Sequence, residues 1–243
     1  IGASALTVRI LSQVALGGCK VGSTAQSPLS SYCIFAAELD EVSGNRSTSV
    51  GGLILTDNNA VGSQPGKFGN AAEFTAANNR YLSANSGSLF DFENKDFAWS
   101  FWIKPGIINN GTRMEVLSKD DASGRQFTVE INGQANSSTV GNLRLGIFRN
   151  NSNYVVADTT TNVLTQGAWA HVVIQRHGST VDCWINGVAQ SMSFLNSNDT
   201  LPFPMAITTT EFRIGNRSYS GFNNPYDGLL DLLYCFDRAL TAP

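Results

Sequence analysis

Apolar residues in this chain recur at every second position in short runs. Clusters of Gly, Asn, Asp and Ser separate the runs at spacings near ten residues, and the three-to-four-residue rhythm of an amphipathic helix is almost absent. The clearest run, Phe97-Ala98-Trp99-Ser100-Phe101-Trp102-Ile103, stops at Lys104-Pro105-Gly106. Side chains alternate across a strand, so Phe97, Trp99, Phe101 and Ile103 share one face while Ser100 and Trp102 share the other. Further strands are predicted over 127–131, ending at Asn132-Gly133, and over 143–148, ending at Asn150-Asn151. Two more, 169–174 and 181–185, precede Asn186-Gly187, the strongest two-residue hairpin signal, and a last strand runs from Gly228 to Phe236. No fixed-period repeat occurs. Many short strands without helices predict an all-β fold, a two-sheet antiparallel β-sandwich. The four apolar residues of 97–103, with Val172 and Ile174, are expected between the sheets, each stabilising the fold by roughly 1.5–3 kcal/mol.

The first 31 residues read differently. Leu6, Val8, Ile10, Val14 and Leu16 form one apolar face, interrupted by Ser12, opposite Thr7, Arg9 and Gln13. Gly17-Gly18 and the Ser-rich stretch 22–31 then read as a tether. This predicts an extended N-terminal strand or arm over 1–31, followed by one domain over 32–243. The arm is either an extra edge strand of the chain's own sandwich or a strand that pairs with an identical or neighbouring subunit.

Composition narrows the function classes. Only 14% of the 243 residues are charged, against a usual ~25%, and the net charge is −3. This excludes a coiled coil and a charged disordered tail, and it argues against nucleic acid as a partner. No apolar run is long enough to span a membrane. A chain of this length can build a sizeable core without cross-links. Its cysteines Cys19, Cys33, Cys183 and Cys235 are therefore either buried thiols or two disulfides in one of three pairings. With two histidines and no paired-cysteine spacing, a zinc site is not expected. Sequons at Asn45, Asn110, Asn136, Asn150, Asn198 and Asn216 mark polar, turn-like stretches. The chain starts at Ile1 with no charged segment before its apolar residues, as a trimmed or processed chain would rather than an intact signal peptide. Together these features favour an extracellular, virion or cell-surface setting.

From Tyr32 onward the chain resembles the laminin G-like jelly rolls of the concanavalin A-like lectin/glucanase superfamily. Five segments carry the resemblance in order: Phe35–Gly44 with its Leu39-Asp40-Glu41 turn; Gly66-Lys67-Phe68-Gly69-Asn70-Ala71-Ala72-Glu73-Phe74; Asp96–Lys104; Trp169-Ala170-His171-Val172 with Trp184-Ile185-Asn186-Gly187-Val188; and Tyr226–Asp231 with Asp237-Arg238-Ala239-Leu240-Thr241. The resemblance implies two stacked sheets with a concave and a convex face. It also implies a structural calcium ion near the rim, for which Asp227 and Asp231 are the candidates, with Asp40 and Glu41 as outsiders. Leu232 stands where the family ending usually has Glu. Similar segments in phage and bacterial surface proteins imply a microbial or viral setting.

Catalysis finds little support. The family's hydrolases carry paired carboxylates on one strand, and Glu38-Leu39-Asp40-Glu41-Val42-Ser43 starts that pattern but has Val42 at the next same-face position. No nucleophile elbow accompanies His171 or His177. Sugar recognition needs aromatic surface beside amides, which two loops offer: 149–154, with Arg149, Asn150, Asn151 and Tyr154, and 216–226, with Tyr219, Asn223 and Tyr226. The expected function is a non-enzymatic recognition module for a glycan or surface ligand. The alternative is a structural subunit of a phage particle or surface filament assembled through residues 1–31, and a glycoside hydrolase is the remote third.

Overall fold

The computed structural model describes residues 30–109, 111–133, 140–195, 197–217 and 224–240. The arm residues Leu6, Val8, Ile10, Val14 and Leu16, together with Cys19, Tyr219 and Asn223, lie outside them. Among the described residues seventeen strands form two sheets. Along the chain they are β1 (Cys33–Ala37), β2 (Arg46–Ser47), β3 (Ile54–Asn58), β4 (Gly62–Pro65), β5 (Asn70–Phe74), β6 (Tyr81–Ala84), β7 (Phe97–Pro105), β8 (Arg113–Asp120) and β9 (Arg125–Asn132). They continue as β10 (Leu143–Phe148), β11 (Tyr154–Thr159), β12 (Ala170–His177), β13 (Thr180–Ile185), β14 (Val188–Gln190), β15 (Met192–Phe194), β16 (Phe212–Ile214) and β17 (Gly228–Phe236). Sheet I runs β14-β13-β12-β7-β17-β5-β4, with β1 also on β17; sheet II runs β15-β11-β10-β9-β8-β16-β6-β3-β2. The expected all-β sandwich is thus present, and no described helix is long and apolar enough to cross a membrane.

Alternation explains the layering. On β7, Phe97, Trp99, Phe101 and Ile103 are fully buried, as are Val172 and Ile174 on β12. Trp99 stacks on Phe212 of sheet II with ring centroids 5.7 Å apart and planes 10° from parallel. Phe35, Phe90 and Phe127 surround it at 6.0, 5.3 and 5.5 Å.

The outer faces differ. That of sheet I carries a second apolar cluster with Ala36, Ala98, Val173, Tyr234 and Leu240, against which Trp102 and Trp184 pack half-buried. That of sheet II carries a charged row. Register places Asp158, Arg144, Glu130 and Glu115 directly across four adjacent strands. Arg144 grips Asp158 with bonds of 2.6 and 2.7 Å, and Arg217 reaches Glu115 at 3.3 Å and Asp120 at 2.7 Å. Burial, reinforced by Glu130, pushes the Glu115 carboxyl well above the usual carboxylate range despite Arg217.

The two-disulfide expectation is corrected. Cys33 is disulfide-bonded, whereas Cys183 and Cys235 are free, buried thiols. Register puts Cys183 beside Ile174, Ile174 beside Trp99 and Trp99 beside Cys235. Three strand spacings separate the two thiols, about 14 Å, and a disulfide needs Cα atoms within about 7 Å.

Trp99→Ala removes the ring that touches both sheets. It is expected to cost about 3–5 kcal/mol, which at about 2–4 °C per kcal/mol for a chain of this size lowers the melting temperature by about 6–20 °C. A thermal melt followed by circular dichroism checks this; a loss of a degree or two would remove Trp99 from the centre of the core.

Candidate functional site

The β10–β11 turn folds because Asn150 caps it: its Oδ1 accepts the Ser152 and Asn153 amides, both at 2.8 Å, while Arg149 N–H donates to Asn153 O. The neighbouring β8–β9 turn uses Asp121 in the same way, its Oδ1 accepting Ser123 N and Oγ and Gly124 N. Burial alone would raise the Asp121 carboxyl, but those bonds outweigh it and hold the group below its ordinary range. Asn151 Nδ2 reaches Ala122 O at 3.4 Å and ties one turn to the other. The segment 206–208 closes the third side, fixed by Ala206 N–H to Phe148 O. Gly124 permits its approach, since a Cβ there would lie 2.7 Å from Thr208 Cγ2.

Between these three segments lies an open groove of about 670 Å3, lined by Arg125, Arg149, Asn150, Asn151, Asn153 and Thr208 among others. Both guanidinium groups lie over aromatic rings, Arg125 3.8 Å from the centre of Phe148 and Arg149 4.9 Å from that of Phe203. Each is oriented by a carboxylate outside the groove, Arg125 by Asp120 and Arg149 by Asp199 at 2.6 Å. The groove thus offers amides, a hydroxyl and planar guanidinium edges. Its described lining includes no Asp, Glu, His or Cys, and hence no group suited to exchange a proton near neutral pH.

Of the sequence-predicted ligand residues, Asn150 and Asn151 line this groove, and Tyr154 stands beside it, half-buried against Phe148 at 5.7 Å. Tyr226 is corrected: it is fully buried, packs on Phe74 at 6.0 Å and donates its hydroxyl to Leu229 O. Arg149, the first residue of the loop singled out from the sequence, also lines the groove, whereas sequence reasoning missed Arg125 and Thr208 as groove residues. The Asp121-Ala-Ser-Gly turn was a signal for the first; nothing local marks Thr208.

The calcium candidates do not converge. Asp227 begins the approach to β17 and Asp231 lies four residues on, about 13 Å along a strand. Asp227 lines a second groove of about 480 Å3 at the Lys104-Pro105 end of β7, with Glu73, and its Oδ2 accepts Ala76 N–H. Asp231 instead accepts Lys67 and Phe68 amides at 2.7 and 2.9 Å and helps hold the turn before β5. Asp40 accepts Asn70 N–H on the same turn, and Glu41 accepts Ser47 N–H. Asp227 and Asp231 therefore do not fit a shared ion, and no group of three His, Cys, Asp or Glu suited to a metal occurs among the described residues. The strand expected through Glu38 and Asp40 ends at Ala37, and Leu39 turns to a φ of +64°, so those carboxylates do not line a strand face. His171 is buried, its Nε2 3.0 Å from Ser100 Oγ, and burial lowers its pKa to about 4.

A family model described as the concanavalin A-like lectin/glucanases superfamily matches residues 76–243. No match is found among curated proteins. Among solved structures, the binding domain of Paraclostridial Mosquitocidal Protein 1 superposes with a TM-score of 0.66 at 16% identity, over 88% of this chain and 51% of that one. Domain 4 of AbnA, an extracellular arabinanase of Geobacillus stearothermophilus solved with arabinotriose, gives 0.60 at 20% identity, over 87% and 95%. The binding domain of botulinum neurotoxin DC in complex with SialylT gives 0.59 at 12%, over 87% and 49%. The chain thus spans about half the length of the toxin domains it matches. At these identities the superpositions show a shared fold alone.

Burial raises the Asp231 carboxyl from 3.8 to about 6, outweighing the two amides that favour its charged form. Between those values the folded chain binds more protons than the unfolded one, so stability falls as pH rises from about 4 to about 6 and then levels. Asp231→Asn keeps an acceptor for both amides and removes the titration. Its stability relative to the wild type should therefore increase across that window in denaturant titrations; a pH-independent difference would refute the shift.

Proposed function

The chain belongs to the concanavalin A-like lectin/glucanase superfamily, and from that premise we propose that it is a non-catalytic recognition module that binds a glycan through the groove between the β8–β9 and β10–β11 turns. The single observation that carries this reading is the groove's donor set. Two guanidinium groups fixed on Phe148 and Phe203, with Asn151 and Thr208 beside them, present preoriented hydrogen-bonding groups to hydroxyls. Fixing the donors beforehand reduces the ordering cost of binding. The lack of a proton-exchanging group in the described lining supports binding rather than hydrolysis. The neighbours include domains of toxins and of an extracellular arabinanase, which supports a secreted or surface setting, as does the disulfide at Cys33. The alternative, a particle or filament subunit joined through residues 1–31, depends on residues outside the described range.

A glycan array probed with the full chain tests the reading. The wild type should label a subset of wells. Arg149→Ala combined with Asn151→Ala removes two hydrogen-bonding groups, at about 0.5–1.5 kcal/mol each, and should weaken binding about tenfold with little change in melting temperature. Wells blank for the wild type, with and without calcium, would overturn the glycan assignment; unchanged binding by the double variant would overturn the groove.

A further inference from the structure

Two arginines and no carboxylate in the described lining would by themselves point to a groove for acidic sugars. What stands behind those arginines points the other way. Asp199 takes the Arg149 guanidinium at two points, with Nε 2.6 Å from one carboxylate oxygen and Nη2 3.1 Å from the other. Asp120 holds Arg125 in the same way, at 3.0 and 3.1 Å. Both carboxylates lie outside the lining, so each guanidinium meets the groove with its charge already matched.

The wider surroundings add negative charge. Asp121 stands behind the β8–β9 turn, and the amides it accepts hold its carboxyl below the ordinary range, so it stays charged. Arg217 reaches Asp120 from outside the groove at 2.7 Å, and Glu115 shares it at 3.3 Å. Arg125 and Arg149 thus stand among Asp120, Asp121 and Asp199, in a chain of net charge −3. Asn151 spends its Nδ2 on Ala122 O, which leaves Oδ1 as the hydrogen-bonding atom it can offer a ligand. A hydroxyl can donate to that oxygen, and an ionised carboxylate or sulfate cannot.

We propose, on the basis of the glycan reading of this groove, that it takes uncharged glycans and excludes those bearing a carboxylate or sulfate, with Asp199 setting that specificity through Arg149. The bonds to Asp199 occupy Nε and Nη2 of Arg149 and leave Nη1 for a ligand. An anionic group accepting from Nη1 would put two anions on one guanidinium, and like charges so placed repel. A hydroxyl oxygen accepts the same N–H without that cost. Each arginine then serves as an oriented donor inside a neutral pair, and Asp199 prevents it from acting as an unmatched cation that would capture acidic sugars.

Asp199→Asn is the test. It keeps an acceptor for Thr200 N–H, which Asp199 Oδ1 accepts at 2.8 Å, and removes the charge behind Arg149. The Arg149 side chain is 40% exposed, and an exposed pair contributes little to stability, so the melting temperature should hold. On a glycan array the full wild-type chain should label wells of uncharged glycans, insensitively to added sodium chloride. In Asp199→Asn the ratio of labelling on carboxylate- or sulfate-bearing wells to that on uncharged ones should rise about tenfold and fall again with salt. Adding Arg149→Ala should remove the rise. A second readout needs no glycan: when sulfate replaces chloride at constant ionic strength, the Arg149 side-chain NMR signal should shift more in Asp199→Asn than in the wild type. Wild-type labelling concentrated on acidic wells overturns the charge exclusion and leaves the glycan reading standing, whereas wells blank throughout overturn that reading and the ligand class with it. An unchanged ratio in Asp199→Asn, a rise that survives Arg149→Ala, or equal sulfate shifts in the two proteins overturns the role of Asp199.

Discussion

Trp99 is the contact through which the two sheets meet. It stacks on Phe212, and its ring neighbours come from β1, β9 and the segment before β7. A sandwich of this kind is held by side chains that interdigitate across a layer about 10 Å thick, and a tryptophan reaches furthest across it. The same level of sheet I continues through Cys235, Ile174 and Cys183, all facing inward. That arrangement keeps the two thiols buried and apart, and it gives them a packing role instead of a covalent one.

Around that layer the sheets meet their surroundings differently. Sheet I covers its outer face with apolar residues and the Leu240 segment, pinned by Leu240 N–H on Gln175 Oε1. Sheet II covers its outer face with a buried charged row. Buried ion pairs are weak sources of stability, but leaving one member unpaired is costly. Slipping β8, β9, β10 or β11 by one residue would turn Glu115, Glu130, Arg144 or Asp158 into the aromatic core. The row therefore fixes register in the sheet whose turns form the groove. Arg125 links the two features, since it bonds Asp120 beside the row and lies on Phe148 at the groove.

Much of the frame was legible because it obeys local rules. The alternation from Phe97 to Ile103, the Asn186-Gly187 hairpin and the strand Gly228–Phe236 stand where the pattern put them. The motif order pointed to the superfamily that the match over 76–243 supports. Reasoning from regular alternation failed at Leu39, where the chain leaves the strand, and loop composition failed at Tyr226, whose neighbours are polar but whose ring completes the core beside Phe74. A tyrosine in an Asn-rich loop looks the same whether its ring lies inside or outside.

The sequence by itself determined the class of fold, the faces of the principal strands and the turns at Asn150 and Asn186, because each depends on neighbours a few positions apart. Tertiary structure alone decided that Thr208 lies against Gly124, that Asp227 and Asp231 serve different turns, and that Cys183 and Cys235 stay single. Each of these depends on which strands lie side by side, and that order is set by packing across the whole core, where residues far apart in the chain compete for the same layer.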